Sequence, residues 1–224
     1  MRKGNPVKIT IKQTLANLLR DKSPSDPLRI GIAGGSGSGK TTVAERIKAG
    51  LRSCSVEMIG LDRFFKPEAE LPRYWSAYHQ QERPDFNRPD SLRVNDMLAF
   101  CASLSGFNVI LFDGHFALYY PQMRQLMDIK CFVEIDLAEM LERRTQRNLS
   151  VGYGGSAEEI WNYNQECVAP QYIRHLRPTR AYADIVIPNH CSSAVEQETI
   201  LQSICEAVLA AVCPQKQVTK MESQ

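Results

Sequence analysis

The sequence predicts an α/β fold, a parallel sheet covered by helices on both faces. Two observations predict it. Short apolar runs of strand length alternate along the chain with stretches of helical period. A glycine-rich loop also stands at the turn between the first strand and the first helix after it. Size and composition permit one domain with a substantial core. The chain has 224 residues, 43% of them apolar, and 27 Lys and Arg stand against 25 Asp and Glu for a formal net charge of +2. So even a charge gives no footprint for nucleic acid, and no apolar run approaches the roughly 20 residues that span a bilayer.

The elements follow in order. Residues 1–26 form a basic leader in which Ile11, Leu15, Leu18 and Leu19 recur at helical spacing, a short amphipathic helix that packs across the domain. Residues 28–33 read as a strand entering the glycine loop and Thr41 to Leu51 as the helix leaving it. A second strand spans residues 55–60. Residues 62–90 are loop-rich, punctuated by Pro67, Pro72, Pro84 and Pro89. A helix over 91–103 precedes the wholly apolar strand 108–112, and a further strand covers 130–135. Asp136 opens a helix from Leu137 to Arg147, and a long helical stretch over 156–176 is bent or broken at Pro170. A last strand, 184–187, is closed by Pro188. A final helix, 195–212, leads into a frayed tail at 214–224.

No apolar h-region follows the basic start, and seven cysteines without a C-x-x-C pair read as reduced thiols, so a cytoplasmic protein is expected. The histidines, His79, His115, His175 and His190, lack zinc-type spacing and read as surface or hydrogen-bonded residues.

The loop carries the strongest chemical signal. Gly34, Gly35, Ser36, Gly37, Ser38, Gly39, Lys40 and Thr41 satisfy G-x-x-x-x-G-K-[ST] in the strand-to-helix context that pattern requires, with Thr42 following. Glycines let consecutive backbone amides turn inward around an anion, and the helix N-terminus adds partial positive charge. Lys40 reaches the β- and γ-phosphates and the Thr41 hydroxyl is a Mg²⁺ ligand. No G-x-G-x-x-G register can be drawn, and N-K-x-D is absent, which argues against a dinucleotide fold and a GTPase.

Phosphoryl transfer needs positioning, a metal, a group that readies the acceptor, and cations on the moving phosphoryl. Asp62 lies just past the second strand, at the carboxyl edge of the sheet, where it can take a proton from an acceptor hydroxyl; alone it could equally be a loop acid. Asp113 ends the apolar strand beside the loop, the place for a magnesium-side acid; the alternative is a turn aspartate before Gly114. Arg143, Arg144 and Arg147 share one helix. They either pair with Glu139 and Glu142 on a solvated face or close over the phosphates, with Gly152, Gly154 and Gly155 following as a mobile lid requires.

With these residues in view, the chain from about 29 to 190 resembles the uridine kinase and phosphoribulokinase-like family of P-loop kinases, which also takes in nicotinamide riboside and pantothenate kinases. The segments that carry the resemblance are 30–42, 61–66, 86–92, 111–114, 127–136, 143–147 and 178–188, with Tyr163 and residues 168–170. It implies a P-loop NTPase-type three-layer α/β/α fold with a five-stranded parallel sheet and a small lid at about 143–160, within a single domain spanning 27–213. It implies transfer of the γ-phosphoryl of ATP or GTP to a small-molecule hydroxyl, with Asp62 as general base, Asp113 (usually Glu) on the Mg²⁺ side, and Arg144 and Arg147 in the lid.

Three departures from the family pattern stand out. Asn87 occupies the position of an aspartate that holds ribose hydroxyls, so Asp85 or Asp90 becomes a candidate to take over. Residues 91–112 have room for one helix and a turn only, so the family's base-contacting hairpin is missing there. The family's Arg-Gly-Arg is replaced by Gly152, Tyr153 and Gly154. An altered acceptor pocket can be built from Phe64, Phe65, Arg73, Tyr74, Trp75, Tyr78, Arg83 and Arg88, unless these only pack a long loop. The expectation is a Mg²⁺-requiring, ATP-dependent kinase of a small metabolite, a nucleoside first, with a homo-oligomer compatible. Two alternatives remain at this point: a kinase of pantothenate, glycerate or a sugar phosphate, and a nucleotide-binding regulator.

Overall fold

The computed structural model describes residues 6–23 and 25–212. Residues 1–5 of the expected basic leader and the expected tail at 214–224 lie outside them. A helix α1 (Pro6–Leu18) precedes strand β1 (Leu28–Ala33), helix α2 (Lys40–Gly50) and strand β2 (Val56–Gly60). Two short turns of helix, Leu61–Phe64 and Glu68–Glu70, lead into a hairpin of β3 (Arg73–Ser76) and β4 (Gln81–Pro84). Then come α3 (Val94–Ser103), β5 (Val109–Asp113), α4 (Pro121–Gln125), β6 (Ile129–Glu134) and α5 (Leu137–Ser150). The chain continues through α6 (Ala157–Tyr163) and α7 (Ala169–Gln171) to β7 (Ile185–Pro188) and α8 (Ala194–Val212).

The main sheet has five parallel strands in the order β2-β5-β1-β6-β7. Its strands read as nearly unbroken apolar runs because both faces are covered. Strand β5 is buried along its whole length. Its alternate residues separate onto the two faces: Val109 and Leu111 join α1, α2 and α8 through Leu15, Val43, Ile47 and Ile204. Ile110 and Phe112 join α3, α4 and α5 through Met97, Met123 and Met140. The result is the three-layer α/β/α arrangement the sequence predicts.

Helix α1 is part of this packing. Leu15 is fully buried, and Lys12 reaches Glu206 of α8 at 2.6 Å. Two elements differ from the sequence reading. The segment 62–90 contains an antiparallel hairpin, with Tyr74 opposite Arg83 and Trp75 opposite Glu82. Its closing residue Pro84 sits at a strand end, where its missing donor costs little. The helical run from 157 onward passes Pro170 without a break. Wide π-helical turns at Asn164–Val168 and Tyr172–Leu176 flank Ala169–Gln171, with Ala169 and Tyr172 both helical in backbone. Turns of that width accommodate a residue that lacks an amide donor.

Candidate active site

The loop after β1 wraps the N-terminus of α2. Gly37 and Gly39 hold φ of 97° and 86°, conformations that a side chain would strain. A Cβ on Gly37 would also come within 2.3 Å of the Met140 carbonyl, so glycine here is what lets the loop lie against the start of α5. Gly34 and Gly35 are buried beneath it, Lys40 is 8% exposed, and Thr41 and Thr42 are largely exposed. Asn189, just past β7, donates from Nδ2 to the Ser38 carbonyl at 2.6 Å and latches the loop from the other side.

Thr41 donates its hydroxyl to Asp113 Oδ2 at 2.6 Å. The other oxygen, Oδ1, is buried with no hydrogen-bond partner among the described residues. Burial raises the Asp113 pKa, while Lys40 and the Thr41 hydrogen bond pull it down. A buried carboxylate with one uncommitted oxygen beside a hydroxyl suits a hard divalent cation, and Mg²⁺ fits these residues.

Asp62 lies in the helical turn directly after β2, with its side chain 59% exposed, on the wall of a cavity of about 580 Å³. The same cavity is lined by Ser36 of the glycine loop and by Arg144 and Arg147. Arg147 donates to Ser36 Oγ at 3.2 Å, which joins α5 to the loop. Arg144 is buried; its Nη1 donates to Asn164 Oδ1 at 2.5 Å and its guanidinium stands 5.1 Å from the Tyr163 ring centre. Arg143 points elsewhere. It pairs with Glu139 at 2.5 Å and does not line the cavity, so one of the three arginines follows the solvated-face alternative.

Much of the remaining lining of the cavity is aromatic and polar. Phe65, Tyr74, His79, Phe86 and Tyr163 line it together with Arg73 and Arg83. Hairpin β3–β4 therefore supplies a wall of the kind expected to be missing between 91 and 112, from an earlier segment. Glu166 holds that hairpin, accepting from Ser76 Oγ at 2.6 Å and the Tyr78 amide at 2.9 Å. The aromatic set proposed from sequence divides: Phe64 is core, tilted against Phe100, and Trp75 and Tyr78 are exposed.

Asn87 lies on this wall, 8% exposed, its Nδ2 donating to the Tyr163 hydroxyl at 2.9 Å. That leaves the side-chain carbonyl as the acceptor it presents. Neither substitute acid faces the cavity. Asp85 is fully buried and accepts from the Asn87 amide, the Cys167 thiol and Gln171 Nε2. Asp90, expected to bind substrate, is captured by Arg88 two residues away, at 3.0 and 2.8 Å, and lines a separate cavity with Arg174 and His175.

His115 is the residue that sequence reasoning missed. It is 8% exposed and lines the main cavity, its Nδ1 3.6 Å from Asp62 Oδ1. Burial lowers its pKa, Asp62 opposes that, and Lys40 adds to it. Its position two residues past Asp113 was the available signal.

A glycine loop at a strand-to-helix turn, a hydroxyl–carboxylate pair beneath it and arginines from a helix facing it define the P-loop class of nucleotide-binding α/β proteins. Solved structures agree on the fold. A protein assigned as a fructose transport system kinase from a Silicibacter species superposes with a TM-score of 0.56 at 17% identity, covering 82% of this chain and 99% of that one. Shikimate kinase from Bacteroides thetaiotaomicron gives 0.50 at 19%, covering 80% and 97%. Within that class, the profile of the Phosphoribulokinase / Uridine kinase family matches residues 78–196. Uridine kinase from Staphylococcus haemolyticus is 32% identical over 190 residues, 74% of this chain and 89% of that one. Uridine-cytidine kinase B from Dictyostelium discoideum is 30% identical over 198 residues, 80% and 81% of the two chains. The chain belongs to the phosphoribulokinase/uridine kinase family.

Proposed function

We propose that this protein is an ATP-dependent kinase that transfers the γ-phosphoryl group to a hydroxyl of a nucleoside. The observation that carries the reading is that Asp62, the phosphate-loop residue Ser36 and residues of the aromatic hairpin line one cavity. The non-nucleoside acceptors and the regulator are not favoured, since relatives of 30–32% identity across most of the chain are uridine and uridine-cytidine kinases.

In this reading the loop amides and Lys40 hold the triphosphate. Thr41 and Asp113 would hold Mg²⁺, which when bound neutralises charge on the phosphates. Asp62 orients the acceptor hydroxyl and takes its proton as the oxygen attacks phosphorus. Arg144 and Arg147 face the charge spread over the transferring group. Asn87 accepts from a sugar hydroxyl, and Phe65, Tyr74 and Tyr163 offer faces for a flat base. Residues from about 143 to 160 act as the lid of a kinase domain spanning 27–213, hinged where Gly152, Gly154 and Gly155 adopt positive φ. Cys101, Cys131, Cys167, Cys191 and Cys205 stand as thiols, the state that a cytoplasmic setting maintains.

The test is release of ADP with ribonucleosides and, in parallel, pantothenate, glycerate and sugar phosphates. Turnover on a ribonucleoside that is abolished in Asp62→Asn is the expected result. Turnover confined to a non-nucleoside alcohol would refute the nucleoside assignment.

A further inference from the structure

Away from the main cavity, where α5 begins and β7 ends, three side chains with metal-binding donors converge. Asp136, Glu139 and His190 each offer one donor atom, and these atoms all lie within 4.8 Å of one another. His190 Nδ1 is 3.5 Å from Asp136 Oδ2 and 3.7 Å from Glu139 Oε2. Donors on a tetrahedron with bonds of about 2.0–2.2 Å stand roughly 3.3–3.6 Å apart, so the two His190 separations lie at or just above that range, and a small inward movement of the carboxylates would bring all three donors onto one cation.

Two further observations point the same way. Asp136 occupies the N-cap of α5, where an aspartate ordinarily accepts from the first-turn amides, yet its side chain makes no cap hydrogen bond. Its carboxylate instead belongs to the cluster. The two oxygens of Glu139 are also divided: Oε2 faces His190, while Oε1 accepts from Arg143 at 2.5 Å and from the Cys191 thiol at 3.3 Å. A ligating carboxylate braced through its second oxygen is the usual outer-shell arrangement of a metal centre.

We propose that Asp136, Glu139 and His190 form a binding site for a zinc-class divalent cation. The imidazole donor selects late first-row metals over Mg²⁺ and Ca²⁺, which take oxygen ligands. His190 binds through neutral Nδ1, and Cys191 is the neighbouring side chain that could close the fourth position by giving up its thiol proton. The site joins α5 to the segment after β7. Asn189 of that segment holds the phosphate loop, so occupancy would brace the loop from outside.

The test is calorimetric titration of Zn²⁺ into the nucleotide-free full-length protein under a phosphine reductant, with His190→Ala, Glu139→Gln and Cys191→Ser in parallel. One equivalent of Zn²⁺ is expected, bound at least ten-fold more weakly by His190→Ala and Glu139→Gln. These positions are outside the core, so circular dichroism should show all three variants folded. Cys191→Ser that binds like wild type leaves a three-ligand site, and one weakened together with His190→Ala adds the fourth ligand; both support the proposal. No stoichiometric binding overturns it. So does binding that survives His190→Ala, whether or not Cys191→Ser removes it, because bare thiol chemistry would then explain the metal.

Discussion

The His115 imidazole stands 3.6 Å from the Asp62 carboxylate, buried where Asp62 is largely open to the cavity. At that separation it makes no good hydrogen bond but restricts where the carboxylate can swing. Asp62→Asn keeps the shape and removes the proposed base, and kcat should fall by about 10²–10⁴-fold. His115→Phe should cost less, about ten-fold, and mainly in kcat, because the binding groups stay in place. Steady-state kinetics on the best nucleoside separates the two.

The same burial gives a pH signature. The folded-state pKa of His115 lies below its ordinary value of 6.5, so the unfolded chain binds the proton more tightly. Its contribution is therefore complete above pH 6.5 and is lost as pH falls below it toward the folded-state value. Thermal melts should show Tm declining across that acid range. The decline should be shallower in His115→Phe, measured as the difference between the two curves.

Asp113 differs in sign. Its raised pKa means that acid protonates it sooner than an exposed aspartate, burial being the main cause. The Mg²⁺ concentration giving half-maximal activity should rise as pH falls through the mildly acidic range. Asp113→Asn should lower kcat/KM by at least 10²-fold at saturating nucleotide, read from a Mg²⁺ titration.

Arg147 and Arg144 make different predictions, although they lie in one helix. Arg147 bonds Ser36 from the protein surface, so Arg147→Ala should cut kcat by about 10–10³-fold with Tm unchanged. Arg144 is enclosed between Asn164 and Tyr163, and Arg144→Ala should lower both kcat and Tm.

Two structural substitutions complete the set. Leu15→Ala should cost about 2–5 kcal/mol, since Leu15 is fully buried between α1 and the α8 side of the sheet; denaturant melts measure it. Glu166→Ala removes both hydrogen bonds that tether the hairpin. It should raise KM for the acceptor several-fold while KM for ATP holds, since Glu166 lies outside the phosphate half of the cavity.

The core of the fold was legible because its signals are local. A doubly covered parallel strand must be apolar at every position, and residues 109–112 are. The phosphate loop was legible because few other tasks need those glycines before Lys40. The hairpin was hidden by its own composition: prolines at 72 and 84 and charges at 73, 82 and 83 read as loop, and the groups that hold it, Glu166 and Tyr163, lie far along the chain. Continuity past Pro170 was illegible for a related reason, since π turns depend on packing that no short window reveals. Asp90 was misplaced because its capture by Arg88 competes with any cavity-facing pose. His115 was overlooked because a solitary histidine announces nothing until the chain brings Asp62 to it.

The hairpin has a consequence for how such enzymes diversify. Strands β3 and β4 form one contiguous hairpin, bounded by prolines and tethered by Glu166, while in the proposed reading the phosphate-handling groups come from residues 34–41, 113 and 144–147. In that reading, part of the acceptor selectivity is written on a stretch of the gene apart from the phosphate loop. Swapping the hairpin between homologues offers a route to new acceptors.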